Sequence, residues 1–272
     1  KQRQKDEHTS THGRKPRALL PRHMITRLLI LGGGSDIAAA FVANLAADDL
    51  QHVVLAGRSG GSRDQAASAL SAAYVQLRVE TADFDGADSA SHSSVLQQIH
   101  DAHGPFDCVV VAFGQLGAEF SIDADPAAMA ELSNVNFGGA VSSCLASLNI
   151  LRGEPHARLI VFSSIAAVRP RIGNIVYGSA KSGLDAFARE LAAPAKQVGV
   201  EVVVVRPGFV HSRMTEGLES APFATTPDEV AADIVAGLAK SRSIIHSPGV
   251  LAPIGLVLKN LPGTVWRQVS KR

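Results

Sequence analysis

From Thr26 onward the chain repeats one alternation. Short aliphatic and β-branched runs stand at RLLIL (27–31), HVVLA (52–56), VQLRVETA (75–82), DCVVVA (107–112), RLIVF (158–162), VEVVVV (200–205) and SIIH (243–246). Alanine- and leucine-rich stretches of helical period separate them. Near-continuous apolar runs of this length suit strands covered on both faces, as in a parallel sheet. Pro126 and Pro227 stand where the first turn of a helix accepts a residue without an N–H. Right-handed crossovers between such strands give a doubly wound sheet with ligands at the carboxyl ends of its strands. No internal repeat, domain linker or apolar run of about 20 residues interrupts the pattern. It predicts one α/β domain over residues 24–272, Rossmann-like, with a mostly parallel sheet of seven strands.

The first 23 residues differ from the rest. They are basic and polar, have no helical or strand period, and lack the long apolar core of a signal peptide. They are expected to form a disordered tail outside the fold. With 46% hydrophobic and 19% charged residues the chain as a whole is too apolar to be disordered, and its net charge of +1 gives no global attraction to nucleic acid. Cys108 and Cys144 fall in apolar segments, so reduced core thiols are expected, and their spacing suits no metal site. The expected location is cytoplasmic.

The first candidate site is "LGGGSDIAAAF", Leu31 to Phe41. Three glycines between an apolar strand and an alanine-rich helix form a turn that lets a phosphate approach the helix N-terminus. Asp36 puts a carboxylate where that anion would sit. Its carboxylate can cap the helix itself, or turn aside and leave backbone room for the pyrophosphate. After the second strand comes "LAGRSGGSR", with Gly57 and Arg58 where an acidic residue would receive a ribose 2′-hydroxyl. A guanidinium there suits a 2′-phosphate.

The second is "SSIAAVRPRIGNIVYGSAKSGLDAF", Ser163 to Phe187. Tyr177 and Lys181 are four apart on a helical segment and share a face. A nearby ammonium lowers a phenol pKa from its ordinary value of about 10, which makes Tyr177 a usable acid or base near neutrality. Ser164 closes a strand thirteen residues upstream of the tyrosine, and Asn136 lies in "VNFGG" on a helix that can pack beside this one.

On these residues the chain resembles the short-chain dehydrogenase/reductase family over about residues 26–246. The resemblance implies that Asn136, Ser164, Tyr177 and Lys181 form a catalytic tetrad. Ser164 would hold a carbonyl oxygen, and Tyr177 would protonate it as hydride arrives from a nicotinamide. Lys181 would bind the nicotinamide ribose and tune the phenol, while Asn136 orders a water. It also implies coenzyme contacts at Gly32, Gly34, Ser35, Asp36 and Ile37, at Arg58, and at Asp83 against adenine. Phe113, Gly114, Tyr177 and Lys181 join them, with Pro207, Gly208, Val210 and Ser212 of "RPGFVHSRM" over the nicotinamide amide. The coenzyme would be NADP(H) or NAD(H), with Arg58 favouring the first.

Two departures from the family pattern narrow the resemblance. "VAFGQLG" (Val111 to Gly117) replaces the asparagine-rich strand end, and Asp36 and Ala38 replace the later glycines of the turn. Both features, with "NIVYGSAKSGLDAF" and "RPGFVHSRMTEGLESAP", are similar to the branch of polyprenylphosphoryl 2-ketopentose reductases. That branch implies a polyprenyl-linked ketone as substrate, cell-wall arabinan as destination, and a homo-oligomer. Whether a separate oxidase partner supplies the ketone is left open. The C-terminal "GVLAPIGLVLKNLPGTVWRQVSKR" carries four basic residues and no acid, which suits either peripheral contact with an anionic membrane or a helix closing the sheet or a dimer. Alternatives are a general ketoreductase of acyl or small carbonyl substrates, and a non-catalytic redox-sensing protein of the same fold.

Overall fold

The computed structural model describes residues 25–46 and 49–270, so the basic tail and Met24 lie outside the described residues. Elements run β1 (Arg27–Leu31), α1 (Asp36–Ala46), β2 (His52–Gly57), α2 (Gly61–Ala73), β3 (Arg78–Asp83), α3 (His92–His103) and β4 (Cys108–Val111). They continue with α4 (Pro126–Ser133), a π-helical turn (Asn134–Gly139), α5 (Ala140–Leu151), β5 (Arg158–Phe162), α6 (Ile175–Gln197) and β6 (Glu201–Pro207). The chain closes with α7 (Pro227–Leu238), β7 (Ile244–Ser247), α8 (Leu251–Asn260) and α9 (Gly263–Val269). One sheet holds all seven strands in the order β3-β2-β1-β4-β5-β6-β7, every pair parallel.

Alternate side chains of each central strand enter opposite cores. Leu29, Leu31, Val109, Val111, Leu159 and Val161 pack toward α3, α5 and α6, with Leu96, Cys144 and Leu184. Leu28, Ile30, Val53, Val110 and Ile160 pack toward α1, α2 and α7, with Phe41, Leu70 and Ile234. Each fully buried aliphatic contributes about 1.5–3 kcal/mol of transfer free energy, so the central strands must be apolar on both faces. Both thiols are buried and free of disulfides, and burial pushes Cys144 up to about 12 and Cys108 higher.

The two prolines begin helices as expected. Asp125 accepts the Ala127 N–H at 3.1 Å ahead of Pro126, and Thr226 and Glu229 form a reciprocal capping box around Pro227. The strand order reverses between β1 and β4, and the crevice at their carboxyl ends is where this topology binds ligands.

Candidate active site

The glycine turn joins β1 to α1 across the end of β2. Gly32 and Gly33 donate N–H bonds to Ala56 O at 2.8 and 2.9 Å. Gly32 has φ +99°, and a Cβ there would lie 2.6 Å from the Phe113 nitrogen, so only glycine fits. Ser35 caps α1, its Oγ accepting from Ala38 N at 3.3 Å and its carbonyl from Ala39 N at 2.9 Å. The N–H groups of Asp36 and Ile37 take no partner among the described residues. These unpartnered donors at a helix N-terminus fit the pyrophosphate of a dinucleotide.

Asp36 does not cap the helix. Its carboxylate turns aside and accepts from the Arg213 backbone N–H at 2.8 Å, from Arg213 Nε at 2.7 Å, and from Nη2. Nη2 also donates to Gly34 O at 2.5 Å. Of the two alternatives for Asp36 the structure adopts the second, with Ser35 capping the helix and the helix donors left to a ligand.

At the adenosine end Arg58 is exposed and has no hydrogen-bond partner among the described residues. The arginine built into the structure is Arg63, in the first turn of α2. Its Nη1 donates to Gly57 O (2.9 Å), Ala82 O (3.0 Å) and Asp83 Oδ1 (2.7 Å), and its Nε donates to Asp64 (2.7 Å). Arg63 is buried while the Asp83 side chain is 81% exposed, so the pair fixes Asp83 yet leaves its carboxylate open to a ligand. The sequence reading missed Arg63, although "GGSR" opens a helix directly after the coenzyme strand.

Phe113 stands at the end of β4, its ring 5.7 Å from that of Phe84. A Cβ at Gly114 would lie 2.8 Å from Asn136 Oδ1 and 3.4 Å from Lys181 Nζ, so this glycine makes room for both side chains. Asn136 sits in the π-helical turn between α4 and α5. Its Nδ2 donates to Leu132 O at 2.9 Å, the carbonyl four residues back that a regular helix would give to its backbone N–H. Nδ2 also donates to Gln115 O at 2.7 Å, and Oδ1 accepts from Gln115 N at 3.1 Å. The amide is pinned from both sides to the loop after β4.

Ser164 follows β5 and caps the 3-10 turn Ile165–Ala167, accepting from Ala166 N at 3.1 Å. The Tyr177 hydroxyl faces the Ser164 hydroxyl closely enough to feel it electrostatically. Burial raises the phenol pKa above its ordinary value, a rise that the Ser164 hydroxyl opposes. The expected lowering by Lys181 is therefore not found. Lys181 is itself buried, donates to Phe162 O at 2.9 Å, and is lowered by burial to about 8. The tetrad residues are thus gathered at the carboxyl ends of β4 and β5.

Beneath them, Asp185 of α6 binds Arg206 of β6 in a two-pronged pair, Nε to Oδ1 at 2.7 Å and Nη2 to Oδ2 at 2.6 Å. Ser163 Oγ donates to the same carboxylate at 2.9 Å. Burial pushes Asp185 up, but Arg206, Ser163 and Arg189 hold it below the usual carboxylate range. Pro207 ends β6, and Gly208 N–H donates to Ser247 O at 2.8 Å. Val210 is buried and bridges Thr225. Ser212 leads into the short 3-10 turn Arg213–Thr215, its N–H donating to Thr215 Oγ1 at 3.1 Å.

The C-terminal helices dock on the segment after Ser164, and α8 also touches the edge strand β7. Gly255 of α8 faces Ile165 and Val168, where a Cβ would find ordinary contacts at 3.4 and 3.6 Å. Arg169 Nη1 donates to Leu258 O (2.7 Å) and Leu261 O (2.6 Å), and its guanidinium lies 5.0 Å from the centroid of the Trp266 ring. Trp266 Nε1 donates to Pro170 O at 3.2 Å. Leu256 and Val257, 66% and 60% exposed, face outward with Leu261 around an open hollow of about 360 Å³. Among the described residues no helix is long and apolar enough to cross a membrane.

At the opposite end of the sheet, His52 Nε2 and His103 Nδ1 lie 2.7 and 3.0 Å from Glu80 Oε2. Arg78 Nη2 holds Oε1 at 2.8 Å. These contacts tie β2, β3 and α3 together, with the Arg78 cation already on the carboxylate.

A protein-family model described as short chain dehydrogenase matches residues 26–222. An uncharacterized oxidoreductase of Mycobacterium tuberculosis is 36% identical over 90% of this chain and 97% of its own length. A benzil reductase ((S)-benzoin forming) of Saccharomyces cerevisiae is 28% identical over 88% of this chain and 92% of its own. Among solved structures, a short-chain dehydrogenase from Sphingobium yanoikuyae in complex with NADPH superposes with TM-score 0.72 at 16% identity, over 88% of this chain and 97% of that one. The chain is therefore a member of the short-chain dehydrogenase family of NAD(P)-dependent oxidoreductases.

Proposed function

We propose that the protein reduces a ketone with NAD(P)H, through Ser164, Tyr177, Lys181 and Asn136. The observation that carries this reading is that these four groups meet at the strand ends beside open helix donors that suit a pyrophosphate. A bound nicotinamide coenzyme would supply the hydride. The open N–H groups of Asp36 and Ile37 would take its pyrophosphate, Asp83 its adenine, and Lys181 its nicotinamide ribose. Ser164 would donate a hydrogen bond to the substrate carbonyl oxygen, and Tyr177, kept protonated at neutral pH by burial, would give that oxygen its proton. Asn136, fixed on Gln115, would hold a water through which the relay regains a proton.

For the substrate we propose a polyprenyl-phosphate-linked 2-ketopentose, reduced to the arabinose donor of cell-wall arabinan. Its support is the resemblance in the glycine turn, the "AFG" strand end and the segments around Tyr177 and Ser212, together with the apolar helices beside Ser164. The exposed faces of Leu256 and Val257 would border a long apolar tail, and Lys259 would meet phosphate or an anionic membrane surface. A compact apolar ketone is the second reading, favoured by the likeness to the yeast benzil reductase.

The test is consumption of NADPH or NADH with a panel of ketones that includes a polyprenylphosphoryl ketopentose and benzil. Turnover of the lipid-linked sugar at far higher kcat/KM supports the first reading. Preference for benzil supports the second. Coenzyme binding without turnover of any carbonyl would leave a non-catalytic binding protein.

A further inference from the structure

The Asp36–Arg213 contact is asymmetric in a way that suits a coenzyme site. Asp36 opens α1, whose end N–H groups would hold the pyrophosphate, so an unpaired carboxylate there would oppose a dianionic ligand. Arg213 lies 177 positions further along the chain and reaches back with its backbone N–H, its Nε and its Nη2. The same Nη2 takes the Gly34 carbonyl, so one guanidinium covers two groups of the turn that would repel phosphate oxygens. The loop that carries Arg213 also carries Ser212, and Thr215 Oγ1 fastens it by donating to Val210 O at 2.5 Å. The contact therefore joins the two sides of the coenzyme groove.

We infer that Arg213 is a coenzyme-positioning residue that acts through Asp36. It neutralises the carboxylate at the helix mouth and straps the Ser212 loop across the groove. This rests on the reading of the glycine turn as the pyrophosphate site. Two charges a few ångströms apart near a protein surface interact strongly enough to change binding by an order of magnitude, and added salt screens that effect. The pair is partly exposed, at 46% for Arg213 and 25% for Asp36, so its loss leaves the core intact.

The test compares wild type with Arg213→Gln, Asp36→Asn and the double variant. NADPH and NADH affinity is read by fluorescence, KM and kcat with a reducible ketone, and melting temperature on the same samples. Arg213→Gln should weaken coenzyme binding by about tenfold at low salt, with kcat far less affected. The loss should shrink as salt rises, because an uncompensated charge causes it. The double variant should regain affinity to within about threefold of wild type, since the offending carboxylate is gone. Asp36→Asn alone should bind coenzyme at least as well as wild type.

Three results would overturn the proposal: unchanged affinity in Arg213→Gln, no recovery in the double variant, or weaker binding in Asp36→Asn. Should Arg213→Gln fail to fold, the Asp36→Asn result decides alone. A wild-type protein that binds neither coenzyme would refute the reading of the turn itself, which is a different failure.

Discussion

The Lys181 ammonium donates to the Phe162 carbonyl at 2.9 Å, which anchors it at the end of β5 instead of on the phenol of Tyr177. Burial lowers this lysine to about 8 and raises the tyrosine above its ordinary value. At neutral pH both carry their protons, the state that ketone reduction requires. Reduction should therefore decline as pH rises through about 8, when Lys181 discharges before Tyr177 does. Stability should move the other way. Because the folded pKa lies below the ordinary lysine value of 10.5, the unfolded chain binds more protons between about 8 and 10.5, and the Lys181 contribution to stability rises there. Initial rates and thermal melts across that window check both signs. A rate that stays flat past pH 9 would contradict the role given to Lys181.

The Asp185–Arg206 pair should prove structural. Asp185→Asn leaves a largely buried guanidinium short of its partner, at a cost of about 3 kcal/mol, near the lower end for breaking a buried ion pair. Urea melts should show this loss, with Tyr177 and Lys181 still able to support turnover below the unfolding transition. The sign with pH follows from the lowered carboxyl. The stabilisation is present above the unfolded pKa and is lost as pH falls through the folded one.

The fold was legible because its central strands are buried on both faces, and all seven predicted runs became strands in one parallel sheet. The edge strand was read least well. VQLRVETA begins at Val75, yet β3 begins at Arg78, because Val75 is 89% exposed and Leu77 N–H closes a turn onto Tyr74 O. The grouping with Ser164 and Asn136 came from the family resemblance, while the shared helix of Tyr177 and Lys181 was legible from their spacing. What depends on long-range packing was not. Arg213 stood within "RPGFVHSRM", but nothing local ties it to Asp36. Burial decides the Tyr177 pKa, and sequence proximity to a lysine suggested the opposite direction.

Arg58 and Arg63 should separate by function. Arg58→Asp should shift the NADPH-to-NADH ratio of kcat/KM toward NADH, since it removes an exposed cation and adds a ribose acceptor. An unchanged ratio would place Arg58 in solvent. Arg63→Gln should weaken both coenzymes alike and lower the melting temperature, because Arg63 holds the ends of β2 and β3 and orients Asp83.

The C-terminal helices can be tested without unfolding them. Leu256→Glu with Val257→Glu changes side chains that face outward, so the melting temperature should hold. Binding to anionic vesicles should fall, since apolar contact is lost while basic side chains supply about 1 kcal/mol each near such a surface. Removal of residues beyond Pro253 should lower both stability and turnover, because Gly255 and Trp266 pack on the segment after Ser164. If intact protein ignores vesicles at low salt, the helices serve only to wall the site.

The most direct test of the central claim is the rate of coenzyme oxidation with a ketone, wild type against Tyr177→Phe, followed at the absorbance of the reduced nicotinamide. The substitution removes one transferable proton and leaves the ring that fills the site. Turnover should fall by about 10²–10⁴-fold or more while NADPH affinity stays within a factor of about three. If Tyr177→Phe keeps more than about a tenth of wild-type turnover, Tyr177 is not the acid and the site does not work as described.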